Sequence, residues 1–167
     1  QAASIKISMA TEITDDLVAE IKADLAQAVL DSQEKNYANR GVREQLAEMA
    51  DQWSDICDLT FTLPSNLEQS IDVSSVAKAA IVEVIREAIN NAVKHSEADE
   101  ADVTIVEGEP GTALVVMRNA VHRQFAGPEG LRTSGYGSRM LDQITESWSV
   151  TFEGGDAILT ATISLSQ

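Results

Sequence analysis

Residues 85–96 read IREAINNAVKHS, and this stretch decides how the rest of the sequence is interpreted. Apolar residues recur there and just upstream at helical spacing, which predicts an amphipathic helix over about 73–95. The buried face of that helix is expected to consist of Ile81, Ile85, Ala88 and Ala92. The adjoining face repeats at steps of four and consists of Glu83, Glu87, Asn91 and His95. Asparagine is a mediocre helix former, so two adjacent asparagines here indicate a binding task, although a solvated polar face is the simpler alternative.

The residue types on this face suit phosphate chemistry. The Glu87 carboxylate can accept a proton or orient a water molecule. The Asn91 amide oxygen can ligate Mg²⁺, which usually takes its other ligands from water and substrate phosphate. Lys94 and His95 can meet the phosphate charge. The stretch is therefore a candidate site for a magnesium-bound phosphate compound.

A second candidate segment, GYGSRML, covers residues 135–141. It places Gly135 and Gly137 before a helix predicted over 138–148, where backbone N–H groups and the helix N-terminus favour an anion. Ser138 is expected to cap that helix, or else to reach a phosphate.

The pattern of the remaining elements favours an α+β fold. Residues 12–36 and 42–57 are predicted helices, and the second has a heptad-like apolar seam that fits either a core-facing helix or a coiled-coil contact. Alternating apolar residues predict five strands, at 59–63, 101–107, 113–119, 149–153 and 157–165. Because hairpins dominate the second half, we expect a two-layer sandwich: a mixed, mostly antiparallel sheet with helices on one face. Residues 120–135 lack periodicity and read as a long functional loop.

The chain from about 42 to 165 resembles the histidine kinase-like ATPase domain of the GHKL superfamily. The likeness is strongest to the catalytic domains of bacterial sensor histidine kinases, whose N-box reads roughly R-E-x-x-x-N-x-x-[RK]-H. That pattern is matched at Arg86, Glu87, Asn91, Lys94 and His95. The resemblance implies a Bergerat-type fold over 42–167, preceded by an N-terminal helical segment, 1–41, that would be either part of a dimerisation helix pair or a helix of another kind.

The resemblance also implies an ATP site with Mg²⁺. Asn91 would ligate the Mg²⁺. Glu87 would be the catalytic residue that positions or activates the reacting group, and it is also a possible ligand of the Mg²⁺ through a water molecule. The implied ATP-binding residues are Asn91, Lys94, His95, Asn119, Gly135, Gly137, Ser138 and Arg139. Asn119 stands where the family's adenine box, D-x-G-x-G, usually has its aspartate, because residues 119–123 read NAVHR. Asp156-Ala157 replaces the usual G-T before the closing strand.

The function implied by the resemblance is transfer of the ATP γ-phosphoryl group to a histidine outside these residues. The partners would be a phosphoacceptor histidine domain and a response regulator, with a homodimer in the full-length protein. The only histidines are His95 and His122, so residues 1–41 hold no acceptor. Two alternatives share the fold: a regulator like the anti-sigma-factor serine kinases, and a degenerate interaction domain that has lost ATP.

The composition of the chain indicates which partners and which cellular compartment to expect. The net charge is −15, from 12 basic and 27 acidic residues, which argues against nucleic acid and anionic membranes as partners. Half of the basic residues lie between 86 and 139, a local zone suited to a small anion. A single cysteine, Cys57, forms no internal disulfide and favours a reducing compartment. No apolar run approaches the ~20 residues of a membrane span, so we expect a cytoplasmic location, even as the cytoplasmic part of a membrane sensor.

Overall fold

A five-stranded sheet forms one layer of the fold in a computed structural model that describes residues 17–26, 28, 40–122 and 135–166. The strands are β1 (Asp58–Thr62), β2 (Glu100–Glu107), β3 (Thr112–Ala120), β4 (Ser147–Glu153) and β5 (Asp156–Ser164). Their order across the sheet is β1-β2-β3-β5-β4. Only the β1–β2 pair is parallel; the other three pairs are antiparallel. The predicted mixed, mostly antiparallel sheet is confirmed.

The second layer consists of helices on one face of the sheet. They are α1 (Val42–Trp53), α2 (Ser65–Asp72), α3 (Ser75–Ser96) and α4 (Gly135–Ile144). Residues 17–26 are also helical, within the longer helix predicted over 12–36, whose other positions except 28 lie outside the described residues. Leu25, in the predicted apolar stripe of that helix, is 55% exposed.

The core lies between α3 and the inward face of the sheet. The predicted face of α3 is buried along its whole length: Ile81, Ile85, Ala88 and Ala92. Opposite it, β5 buries every second residue, from Ala157 through Leu159 and Ala161 to Ile163. This period of two matches the pleat of a strand with one face on the core. The α+β sandwich forms because the apolar face of α3, with helical spacing, packs against the apolar face of β5, with a period of two.

Helix α1 covers the same core with its heptad-like seam. Val42, Leu46 and Met49 are buried, and Trp53 packs against the core while half-buried. Ile56 lies beyond the end of the helix and is 57% exposed. The seam is therefore a core-facing stripe, and the coiled-coil alternative is not needed to explain it. Cys57 is buried as expected, but it lies between α1 and β1 and not within a helix.

Two helix boundaries differ from the predictions. Helix α2 was not predicted, because it has only eight residues and buries only Leu67 and Ile71. It ends at Asp72, and the helix predicted from about 73 begins instead at Ser75. Its N-cap is Ser74, whose Oγ accepts a hydrogen bond from the Ala77 N–H at 3.1 Å.

Helix α4 also begins earlier and ends earlier than predicted. It spans Gly135–Ile144, not 138–148. Gly135 and Gly137 thus belong to its first turn, where the N–H groups need no partner within the helix and glycine costs little. Trp148, predicted as the last residue of this helix, lies instead in β4, opposite Ala161 of β5. Its side chain packs against the core.

Candidate functional site

The candidate site is built on the second half of α3. The apolar face of this helix is held against the sheet, so the stripe beside it faces the rim of the core. Glu87 and Asn91 lie four residues apart on that stripe, and the Asn91 Nδ2 donates a hydrogen bond to the Glu87 Oε1 at 3.2 Å. This bond fixes the amide group, and it directs the amide oxygen away from the carboxylate.

Burial raises the pKa of Glu87 above its ordinary value of 4.5. The Asn91 hydrogen bond and the charge of Lys94 oppose that rise in pKa, whereas the charge of Glu83 adds to it. A desolvated carboxylate holds a proton more tightly than an exposed one. Glu87 is therefore a better proton acceptor than the exposed glutamates of the chain.

An open polar cavity of about 470 Å³ lies beside this pair. Its size falls within the range of about 300–1,000 Å³ typical of small-molecule sites. Lys94 is exposed and His95 half-buried at its wall. The described lining residues are Trp53, Glu87, Asn90, Asn91, Val93, Lys94 and His95. Four of the predicted site residues thus share one cavity.

An apolar cleft lies on the other side of Asn91, between α3 and the sheet. Its described lining residues are Ala88, Asn91, Ala92, Ser96, Met117, Asn119, Val150, Ala157 and Leu159. Asn119 is only 5% exposed there, and its Nδ2 donates to the Ala120 carbonyl at 3.1 Å. The other branch of the amide, Oδ1, is the acceptor that an adenine amino group requires. The cleft holds about 30 Å³, which is enough for at least one water molecule.

Asn91 lines both spaces, and this is the central geometric feature of the site. Asn119 shares the inward face of β3 with Val115 and Met117, and all three are buried. Thr160 and Thr162 lie on the other face of β5. Both are only half-buried and alternate with the inward-facing residues of β5.

Helix α4 contributes less than the sequence suggested. Among the described residues that line the cleft or the polar cavity, none belongs to α4. Ser138 is the fourth residue of that helix, so the capping role expected for it is wrong. Arg139 is exposed. For Gly135, Gly137, Ser138 and Arg139, nucleotide contact therefore stays a prediction.

Two arginines of the local basic zone form ion pairs with carboxylates of the protein. Arg86 pairs with the buried carboxylate of Glu83 at 3.0 Å. Arg118 lies on the outward face of β3 and pairs with Asp156 of β5 at 3.0 Å. The zone is thus not a single cationic surface. Arg123 and Arg132 lie outside the described residues.

Trp53 also belongs to the site, although its place in the sequence did not indicate this. Its position in the apolar seam of α1 predicted a core residue, yet its side chain also lines the polar cavity. Helical spacing reports which face of α1 meets the core but not which end reaches a neighbouring cavity. No signal in the sequence distinguished Trp53 from Leu46 or Met49.

The donor set fits a magnesium ion that arrives with its own ligands. Over residues 17–26, 28, 40–122 and 135–166, no group of three or more His, Cys, Asp or Glu side chains could hold a metal ion. The Asn91 amide oxygen and the Glu87 carboxylate offer one or two oxygen ligands. Mg²⁺ in nucleotide sites is commonly bound by one or two protein oxygens together with phosphates and water. The residues present therefore suit Mg²⁺ on a phosphate compound and not a protein-only metal centre.

Comparison with solved structures shows the fold family. Acinetobacter baumannii histidine kinase AdeS is similar, with a TM-score of 0.51, 12% identity, and coverage of 96% of this chain and 90% of that one. The Erythrobacter litoralis EL346 blue-light activated histidine kinase has a TM-score of 0.59, 15% identity, and coverage of 87% of this chain; this chain spans 48% of that protein. The histidine kinase domain of the same protein has a TM-score of 0.58 and 16% identity, and the match covers 99% of this chain and 85% of that domain.

No protein-family model matches the chain, and comparison with curated proteins finds no similar sequence. The likeness to solved structures is therefore one of fold at low identity. In the part of the chain that the structure describes, no helix is both long and apolar enough to span a bilayer. The described residues share their fold with histidine kinase structures, as the resemblance at the N-box pattern implied.

Proposed function

We propose that this chain is the ATP-binding catalytic domain of a cytoplasmic sensor histidine kinase. The observation that carries the proposal is the position of Asn91, at the border between an apolar cleft and a polar cavity. A nucleotide has the same division: an aromatic base suited to the cleft, and charged phosphates suited to the cavity. One asparagine at the border can therefore meet the point where base and sugar give way to phosphate.

The base would enter the apolar cleft. Met117, Val150 and Leu159 supply apolar contacts there. The Asn119 Oδ1 would accept a hydrogen bond from the exocyclic amino group of adenine. Guanine carries a carbonyl oxygen at that place, which would face the same acceptor, so the cleft would select ATP over GTP by about 1–3 kcal/mol.

The phosphates would occupy the polar cavity. Lys94 supplies positive charge, both Lys94 and His95 can donate hydrogen bonds, and Asn91 and Glu87 would hold the Mg²⁺. When bound, the ion would neutralise phosphate charge. Transfer of a phosphoryl group depends mainly on positioning and electrostatic stabilisation, which these fixed side chains can provide. The raised pKa of Glu87 suits it to take a proton from the attacking group or from a water molecule.

The acceptor would be a histidine of a phosphoacceptor domain, from which a response regulator would take the phosphoryl group. His95 is part of the proposed ATP site and is not a free acceptor. His122 is exposed and pairs with Asp99 at 3.2 Å, close to the start of the loop that follows β3. Neither histidine lies on the helical segment 17–26, so transfer to a histidine outside the described residues fits the chain best.

The deciding experiment is a calorimetric titration of the chain with ATP, with and without Mg²⁺. We expect magnesium-dependent binding in the micromolar range. Replacing Asn91 with alanine should weaken it at least tenfold, because one ligand of the ion and one wall of each cavity are lost. Asn66→Ala is the matched control, since Asn66 is exposed on α2 and lines neither cavity.

Unchanged ATP affinity in Asn91→Ala would reject the site assignment. No heat, and no change in melting temperature at millimolar ATP, would favour a second candidate: an interaction domain that keeps this fold without its nucleotide. The small volume of the apolar cleft, about 30 Å³, favours that candidate.

A further inference from the structure

A buried lysine holds the point at which the chain enters the ATPase fold. Lys78, in the first turns of α3, is only 3% exposed. Its Nζ donates a hydrogen bond to the backbone carbonyl of Arg40 at 2.8 Å, across 38 residues of sequence. Burying a lysine is costly unless its charge is well bonded, and lysine is rarely found buried without a partner. A leucine or methionine would fill this place at lower cost, so the lysine indicates a specific task.

The same carbonyl receives a second buried donor. The Gln45 Nε2, on α1, donates to the Arg40 oxygen at 3.1 Å. Gln45 is 4% exposed, and its Oε1 is the one buried side-chain atom without a hydrogen-bond partner among the described residues. An unsatisfied buried acceptor destabilises the folded state. The fold thus keeps an unfavourable arrangement at Gln45 while holding the Arg40 carbonyl.

Two further contacts act on the next residues and on the Arg40 side chain. The Val42 N–H, at the start of α1, donates to the Asp72 Oδ1 at 2.8 Å. The Arg40 guanidinium forms an ion pair with Glu48 of α1. Residues 40–42 are therefore bonded to α1, to α2 and to α3 at once. This segment coincides with the domain boundary predicted at 41/42.

We infer that Lys78 is a positioning residue that fixes the junction Arg40–Val42 to α3, the helix that carries Glu87 and Asn91. The N-terminal helical segment then enters the ATPase fold at a set place relative to the site. The consequence for catalysis rests on the proposed function, but the junction itself does not. Its test therefore needs no nucleotide.

The test is amide hydrogen exchange in Lys78→Met, measured at the Val42 N–H and at core amides of β3. Methionine keeps the length and volume of the side chain and removes the donor. We expect exchange at Val42 to become at least tenfold faster, with β3 unchanged. Lys22→Met is the matched control, since Lys22 lies on the helical segment 17–26, away from the junction in sequence. ATP titration of the same variants, run separately, reports on the proposed function alone.

Acceleration confined to the junction supports the inference. Unchanged exchange at Val42, or acceleration spread equally over β3, overturns it. If Lys78→Met does not fold, Gln45→Leu tests the inference instead. Because that change removes the unpaired Oε1, we expect a melting temperature a few degrees higher together with faster exchange at Val42. A purely structural role of Gln45 would give either a higher melting temperature with slower exchange at Val42 or a lower melting temperature with faster exchange, and either result would overturn the inference.

Discussion

At the scale of single residues, Glu87 is where burial and chemistry meet. Its raised pKa means that the folded protein binds a proton at this carboxyl more tightly than the unfolded chain does. At neutral pH the buried charge therefore costs stability. That cost declines as the pH falls from the raised pKa toward 4.5, and it is absent below 4.5.

Glu87→Gln removes this charge while keeping an oxygen that can accept the Asn91 hydrogen bond. We predict that the variant unfolds at a higher urea concentration than the parent at pH 7, and that the difference vanishes as the pH falls below 4.5. For one proton, the difference in unfolding free energy changes by at most about 1.4 kcal/mol per pH unit. Glu107→Gln, at an exposed position, is the control. A gain that persists at low pH would contradict the assignment.

Asn119 makes a hydrogen bond in the free protein that an aspartate could not make. The Asn119 Nδ2 donates to the Ala120 carbonyl, and an aspartate would place an oxygen against that carbonyl. We predict that Asn119→Asp lowers the unfolding free energy of the free protein by about 1–3 kcal/mol at pH 7. If the cleft binds adenine, added ATP should recover part of the loss, which thermal melts with and without ATP would measure. An equally stable Asn119→Asp protein would show that the Nδ2 bond is unimportant.

At the scale of elements, the N-cap of α3 holds the site helix in place. The Ser74 Oγ accepts from the Ala77 N–H and is buried, so no water replaces it. We predict that Ser74→Ala lowers the unfolding free energy by about 1 kcal/mol, within a range of about 0.5–2. Ser70→Ala is the control. Its Oγ only donates back to the Asn66 carbonyl on the exposed face of α2, and its loss should be close to neutral. Chemical denaturation of both variants compares the two directly.

The elements also show how far the sequence could be read. The strands and α3 were predicted because their apolar periods are long and both faces of each element differ in polarity. The hairpin turns followed from glycines at positions that take positive φ: Gly111 at 82°, Gly154 at 60° and Gly155 at 85°. Helix α2 was missed because eight residues with two buried side chains carry too little periodicity. The start of α4 was misplaced because glycine reads as loop even where a first turn accepts it.

The site was predictable in part for the same reason. Glu87, Asn91, Lys94 and His95 lie on one helix, so spacing alone brings them together. Asn119 could be placed from the alternation of β3. The contribution of Trp53 and the pairing of Arg118 with Asp156 depend on how separate elements pack, which one sequence does not specify. The parallel pairing of β1 with β2 is likewise a tertiary property.

At the scale of the whole molecule, the two tryptophans report on different places. Trp53 lines the polar cavity, whereas the Trp148 Nε1 donates to Asp142 at 2.8 Å at the junction of α4 and β4. We predict that saturating Mg·ATP changes the emission of Trp53 in a Trp148→Phe protein. In a Trp53→Phe protein, the remaining Trp148 should respond less. A response confined to Trp148 would place the nucleotide away from the polar cavity.

Helix α3 joins the junction to the site by one continuous helix, Ser75–Ser96. Thirteen residues separate Lys78 from Asn91, which is a rise of about 20 Å along the axis. A small change in the angle of the helix at Lys78 therefore produces a larger displacement at Asn91. A tilt of about 5° there would carry Asn91 through nearly 2 Å. For the phosphoryl transfer proposed above, a displacement of about 1 Å at the reacting centre would cost ~100-fold in rate, so a small turn of the incoming segment would be enough to switch the site off.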